Sequence, residues 1–155
     1  MKTCSYKYSI KKDMDMILSF DKTEKIKVPD IKKNPILSIV IPSYNVGKYI
    51  KGGVKSLLRS KYASDLEIII VNDGSKDDTV AKSNELLSNY RGKNPIIKII
   101  DKENGGHGST INKGIEIATG KYFRLMDGDD YYITENLDKL LEKLKDEDSD
   151  IVLTN

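Results

Sequence analysis

Tryptophan is absent from this chain of 155 residues, and cysteine and histidine occur once each, as Cys4 and His107. A lone cysteine excludes an internal disulfide, and a lone histidine excludes a site built from several imidazoles. Any divalent ion the chain holds must therefore be held by oxygen. Long apolar runs are missing too. No stretch approaches the ~20 residues that a membrane span requires. The amino-terminal "MKTCSYKYSIKKDMDM" is broken by charge where a signal peptide needs an apolar segment. These absences predict a reduced, cytoplasmic setting, at most against the inner face of a membrane.

An excess of either charge is also lacking, since 26 basic and 24 acidic residues leave a formal charge of +2. The balance is uneven along the chain. Residues 1–35 carry nine lysines against five acids, and the remainder carries 17 basic against 19 acidic residues. Nucleic-acid binders place their cations on the folded part, so a basic arm ahead of a mildly acidic domain argues against nucleic acid as a partner. The arm, residues 1–35, has no sustained periodicity and reads as an irregular linker.

What is present begins after Pro35. "ILSIVI" and "LEIIIV" are nearly continuous β-branched runs, the pattern of strands buried on both faces. "IIKII", "KYFRLM" and "IVL" (151–153) read as three more. Helical spacing occupies 46–60, 77–90, a stretch marked by Ile111, Ile115 and Ala118, and 134–146, with Thr134 placed as an N-cap. Strands alternating with helices predict an α/β domain over 36–155, a mainly parallel sheet flanked by helices. Ligands of such sheets gather beyond the carboxyl ends of the strands. The loops there are "PSYN", with Pro42 stopping the first strand, "NDGS", "NGGHGS" and "DGDD".

Three of these loops have ordinary explanations. "NDGS" is standard turn chemistry with Gly74 at positive φ, "PSYN" offers Ser43 or Asn45 as a helix cap, and His107 reads first as a structural residue. "NGGHGS" opens a helix with free N–H groups and could receive a phosphate. "DGDD" is harder to dismiss. Asp127, Asp129 and Asp130 repel one another, and a helix N-terminus near Asp130 would relieve only one of them. A hard cation on carboxylate oxygen, its shell completed by water and substrate phosphates, accounts for the cluster better. A calcium loop does not fit, because the alternating acids stop at Asp129 and no glutamate stands at the twelfth position.

The ordered motifs "SIVIPSYNVGKYI", "LEIIIVNDGSKDDT" and "NGGHGSTINKGIEIATGKYFRLMDGDD" resemble the nucleotide-sugar-binding part of family 2 glycosyltransferases, of the GT-A fold. The resemblance implies that Tyr44 stacks on uracil or another base, with Pro42 and Asn45 in the same pocket, and that Asp73 accepts from the base N–H. It further implies that Asn104, Gly105, Gly106 and His107 border the nucleotide and diphosphate. Asp127 would lie near ribose and metal, and Asp129 would bind Mn²⁺ or Mg²⁺. The implied activity is sugar transfer from a UDP-sugar to an acceptor hydroxyl, on a glycan or lipid-linked glycan, in bacterial cell-surface polysaccharide synthesis.

Two departures qualify that expectation. Ile111 stands where many members carry an arginine, and no residue up to Asn155 matches the carboxylate that deprotonates the acceptor. The chain is accordingly expected to be a truncated donor-binding half, inactive alone and prone to self-association through the exposed edge of its fifth strand. The alternatives are a nucleotide-binding module without transfer activity and a nucleotidyltransferase. The latter would need a phosphate-cradling glycine loop where "PSYN" stands.

Overall fold

The computed structural model describes residues 34–90 and 95–154. The expected basic arm lies outside the described residues except for its last two positions. Four strands form one sheet: β1 (Leu37–Ser43), β2 (Leu66–Asp73), β3 (Ile96–Lys102) and β4 (Tyr122–Leu125). Their order is β3-β2-β1-β4, and every pairing is parallel. Four α-helices flank the sheet: α1 (Ile50–Leu58), α2 (Thr79–Tyr90), α3 (His107–Ile117) and α4 (Thr134–Asp146).

Burial follows position in the sheet. Every residue of the two central strands β1 and β2 is buried, whereas β4 alternates between half-buried and exposed. Parallel strands covered by helices on both faces need a continuous apolar run, which is what "ILSIVI" and "LEIIIV" supply. Leu37, Ile39 and Ile41 with Leu66, Ile68 and Ile70 form one face. Ile50, Val54 and Leu57 of α1, Leu86 of α2, and Leu137, Leu141 and Leu144 of α4 pack on it. Val40, Ile69 and Val71 on the opposite face meet Ile117 and Ala118 at the end of α3.

Three expectations are corrected. Residues 151–153 form no strand: the segment crosses the β4 side of the sheet, where Arg124 Nη1 donates to Thr154 Oγ1 at 3.0 Å. A three-residue apolar run gains too few ladder bonds to order itself without a partner strand. The open edges among the described residues are therefore β3 and β4. Pro42 does not end β1, which continues to Ser43. Met126 N donates to Val40 O, so Val40 and, two residues on, Pro42 face β4; that strand stops at Leu125, and the missing N–H costs no ladder bond. Thr134 does not cap α4. Ile133 takes that position, and Thr134 Oγ1 donates to Ser56 O at 3.3 Å instead.

Contact between α3 and the sheet requires a glycine. A Cβ on Gly114 would lie 2.4 Å from Val40 Cγ1 and 2.7 Å from Val40 Cγ2. Overpacking of this kind costs roughly 1–3 kcal/mol, more than the ~1 kcal/mol that alanine returns in helix propensity. Gly114→Ala is expected to lower stability by about 1 kcal/mol in a thermal melt. Adding Val40→Ala should cost less than the sum of the two single changes, because it removes the obstructing methyls.

Candidate functional site

Since all four strands run the same way, their carboxyl ends share one edge, and the loops after them meet there. A cavity of about 410 Å³ opens between these loops. Pro42, Ser43, Tyr44 and Val46 line it from the β1 loop, and Asp73 from the end of β2. Asn104, Gly106, His107 and Thr110 contribute from the β3 loop and the start of α3, and Asp127, Gly128 and Asp129 from the β4 loop. Eight of the ten residues named from the sequence thus share one cavity, while Asn45 and Gly105 do not line it. Ser43, Val46, Thr110 and Gly128 join it without having been anticipated.

Asn45 has a bracing role. It sits at φ 54°, its N–H donates to Ser75 Oγ at 2.9 Å, and its Oδ1 accepts from Lys76 N at 2.8 Å. It therefore ties the first loop to the second and does not cap α1, which begins after Tyr49 without a side-chain cap. Ser43 Oγ, the other candidate cap, donates back to Ile41 O. Tyr44 is left half exposed at the cavity wall, an accessible ring on an anchored loop.

Asp73 is the most heavily bonded side chain of the site. Oδ1 accepts from Lys102 Nζ at 2.5 Å and Gly105 N at 2.9 Å, and Oδ2 accepts from Gly106 N at 2.9 Å. Asn104 Nδ2 donates to Asp73 O at 3.0 Å. Burial alone would push this carboxyl up. Lys102 and the two glycine N–H groups outweigh it and hold Asp73 below the usual carboxylate range. Gly74, at φ 68° as anticipated, lets the β2 turn approach the backbone of Asn104. The glycine loop is thus held against the end of β2, and α3 starts from it with the N–H groups of its first turn at the cavity. Lys102 was not anticipated: its partners stand at 73, 103 and 109, and no local motif joins them.

The "DGDD" turn packs tightly at two points, and at one of them Asp130 O lies 2.7 Å from where a Cβ on Gly53 of α1 would stand. A Cβ on Gly128 would sit 2.9 Å from Pro42 O and 3.0 Å from Val46 Cγ2, so glycine lets the β4 loop close onto the β1 loop. Asp130 N donates to Asp127 O at 3.0 Å, closing the turn through backbone alone. The side chains of Asp127, Asp129 and Asp130 have no lysine or arginine partner among the described residues. Neither do three His, Cys, Asp or Glu side chains converge there as a complete metal cage, again among the described residues. Two unpaired carboxylates on one cavity wall suit a partly hydrated hard cation that takes its remaining ligands from water and phosphate.

The model of the family described as "Glycosyl transferase family 2" matches residues 38–155, which is most of the chain. The chain belongs to this family. Among its relatives, the Bacillus subtilis (strain 168) protein named "Uncharacterized glycosyltransferase EpsJ" is 40% identical over 118 residues, covering 76% of this chain and 33% of that protein. S. aureus TarS 1–349, solved in complex with UDP-GlcNAc, superposes with a TM-score of 0.59 at 27% identity over 70% of this chain and 31% of that one. The mannosyltransferase PcManGT from Pyrobaculum calidifontis, solved with GDP-Man and Mn²⁺, superposes at 0.64 over 88% of this chain and 40% of that one; at 18% identity it shows the fold alone. The expected GT-A architecture is thereby matched, and the chain spans about a third of the length of these relatives. No helix among the described residues is long and apolar enough to cross a membrane.

Proposed function

We propose that this chain binds the sugar donor of a glycosyltransferase, a nucleoside diphosphate sugar with uracil as its base, through an oxygen-held Mn²⁺ or Mg²⁺. The observation that carries the reading is the cavity itself, where an accessible aromatic ring, an anchored carboxylate, a helix N-terminus and two unpaired carboxylates face one space. Each answers a different part of such a donor.

Tyr44 stacks on the base, over Pro42, and Asp73 accepts its N–H. Asn104, Gly106 and His107 border the diphosphate at the start of α3, where free N–H groups and the helix dipole favour negative charge. Gly105 acts indirectly, through its bond to Asp73, and Asn45 by bracing the loop that bears Tyr44. Asp127 faces the ribose and the cation, and Asp129 holds the cation. The bound cation would supply Lewis-acid stabilisation of the departing nucleoside diphosphate. In the whole protein the sugar would pass to an acceptor hydroxyl, on a glycan or lipid-linked glycan of the cell surface, at the cytoplasmic side where the donor is available. No described residue is assigned to take the acceptor's proton.

Calorimetric titration with UDP tests this directly. Binding at micromolar UDP with Mn²⁺, weakened at least ten-fold by chelation, is the expected result; no heat under either condition would refute it. A second expectation concerns association. Phe123 and Leu125 are exposed on the β4 edge at 40% and 38%, and an edge strand with no partner strand on its outer side invites pairing between chains. Light scattering should show mass rising with protein concentration, and a constant monomer would remove this part of the proposal.

A further inference from the structure

We propose that Lys102 selects the base: by occupying one oxygen of Asp73 it leaves the site a single acceptor, which suits uracil and excludes guanine. The inference rests on the nucleotide reading above and adds to it a residue that touches no ligand.

The argument is a count of donors and acceptors. An ionised carboxylate offers about four lone-pair positions and no donor. On Asp73 Oδ1, Lys102 Nζ and Gly105 N–H take both positions, and on Oδ2 Gly106 N–H takes one. One position remains, on Oδ2, and Asp73 lines the cavity. Lys102 is equally committed. Its ammonium has three N–H groups, and they meet three oxygens: Asp73 Oδ1 at 2.5 Å, Glu103 O at 2.6 Å and Ser109 Oγ at 2.9 Å. Ser109 Oγ in turn donates to Gly106 O at 2.7 Å. The lysine therefore spends its hydrogen bonds inside the loop and has none to offer a phosphate. Its charge is needed where it stands, beside a carboxylate that is almost wholly buried.

Bases differ in what they present to such a group. Uracil offers one N–H, at N3, between two carbonyl oxygens, and a single acceptor satisfies it. Guanine offers two adjacent donors, N1–H and N2–H, which a carboxylate with both oxygens free would take as a pair. With Oδ1 filled, guanine must either leave its second donor without a partner or displace Lys102, and both are costly in a buried place. Cytosine presents an acceptor at N3, where uracil presents its N–H, so a carboxylate facing that position disfavours it. Lys102 is thus a positioning residue, acting through Asp73.

The test is a ratio of affinities, measured calorimetrically with Mn²⁺ for UDP and GDP on the unaltered chain, Lys102→Met and Lys102→Arg. The unaltered chain should prefer UDP at least ten-fold and should lose at least ten-fold on N3-methylated UDP, which has no donor to give. Lys102→Met, by freeing one of the two positions on Oδ1, should narrow the UDP-to-GDP ratio about five-fold, and Lys102→Arg should restore it. A lysine that merely props the loop would weaken both nucleotides in step, and an unchanged ratio in Lys102→Met would overturn the proposal. UDP and GDP bound equally by the unaltered chain would overturn it while leaving the nucleotide site standing. Binding of neither would overturn both. If the methionine variant fails to fold, as a thermal melt would reveal, the UDP-to-GDP ratio and the methylated-UDP loss on the unaltered chain decide alone.

Discussion

Replacing Asp129 with alanine is expected to cost about 100-fold in Mn²⁺-dependent UDP affinity, or ~2.7 kcal/mol, while leaving the fold intact. The two halves of that expectation come from the same observation. Asp129 is exposed, pairs with no cation among the described residues, and contributes no side-chain bond to the turn it sits in. The turn closes through Asp130 N and Asp127 O and packs through Gly128, neither of which the substitution alters. Surface changes away from such features usually stay within about 0.5 kcal/mol in stability. A cation held by two carboxylates, on the other hand, loses half of its charged protein ligands. Asp127→Asn should be milder, about ten-fold, because the amide keeps an oxygen for the ion. Titrations run with chelator should bring the unaltered chain and Asp129→Ala together, since only the metal-dependent part is removed. If Asp129→Ala binds UDP as tightly as the unaltered chain in Mn²⁺, the three carboxylates are a solvated turn and the metal reading fails.

How much of this could be read beforehand depended on whether the determining interactions were local. The helix at 134–146 was placed to the residue, because Leu137, Leu141 and Leu144 repeat at helical spacing and reach a single core. Its cap was missed, because Thr134 spends its hydroxyl on Ser56, far away in sequence. "IVL" satisfied the composition of a strand, but pairing is decided by neighbours and not by composition. The assembly of the four loops was legible for a topological reason: alternating elements imply a parallel sheet, and a parallel sheet puts every strand's carboxyl end on one side. That is why eight named residues fell around one cavity. Asn45 and Gly105 fell outside it because both act on other loops, through Ser75 and Lys76 in one case and Asp73 in the other. Lys102 was invisible for the same reason. A lysine in a lysine-rich chain carries no signal until the fold brings Asp73 and Ser109 to it.

Glu67 is the extreme case of hidden long-range chemistry, and its removal carries the largest expected effect on stability. It lies inside the apolar run "LEIIIV", in the second-from-edge strand β2, and is 0% exposed. Burial would push its carboxyl up. Lys98, Ser38 and Thr119 together more than offset this, so its pKa lies below the ordinary glutamate value of 4.5. Ser38 Oγ and Thr119 N donate to Oε2 at 2.5 and 2.7 Å, while Lys98 Nζ and Thr119 Oγ1 reach Oε1 at 2.6 and 2.8 Å. Lys98 Nζ also donates to Ile117 O at 3.1 Å. One carboxylate thereby joins β1, β2 and β3 to the end of α3, on the face of the sheet opposite the main core. Glu67→Ala strands several buried donors at once and should cost about 3 kcal/mol, lowering Tm by roughly 10 °C. The pH dependence gives an independent check. With the folded pKa depressed, the unfolded chain binds the proton first, so this contribution is complete above about pH 5 and is lost as pH falls through 4.5 towards the folded value. Glu67→Gln, which cannot titrate, should show a shallower loss of stability over that range than the unaltered chain. Equal acid slopes in denaturant titrations at pH 3 to 6 would mean that Glu67 does not hold these elements together through its charge.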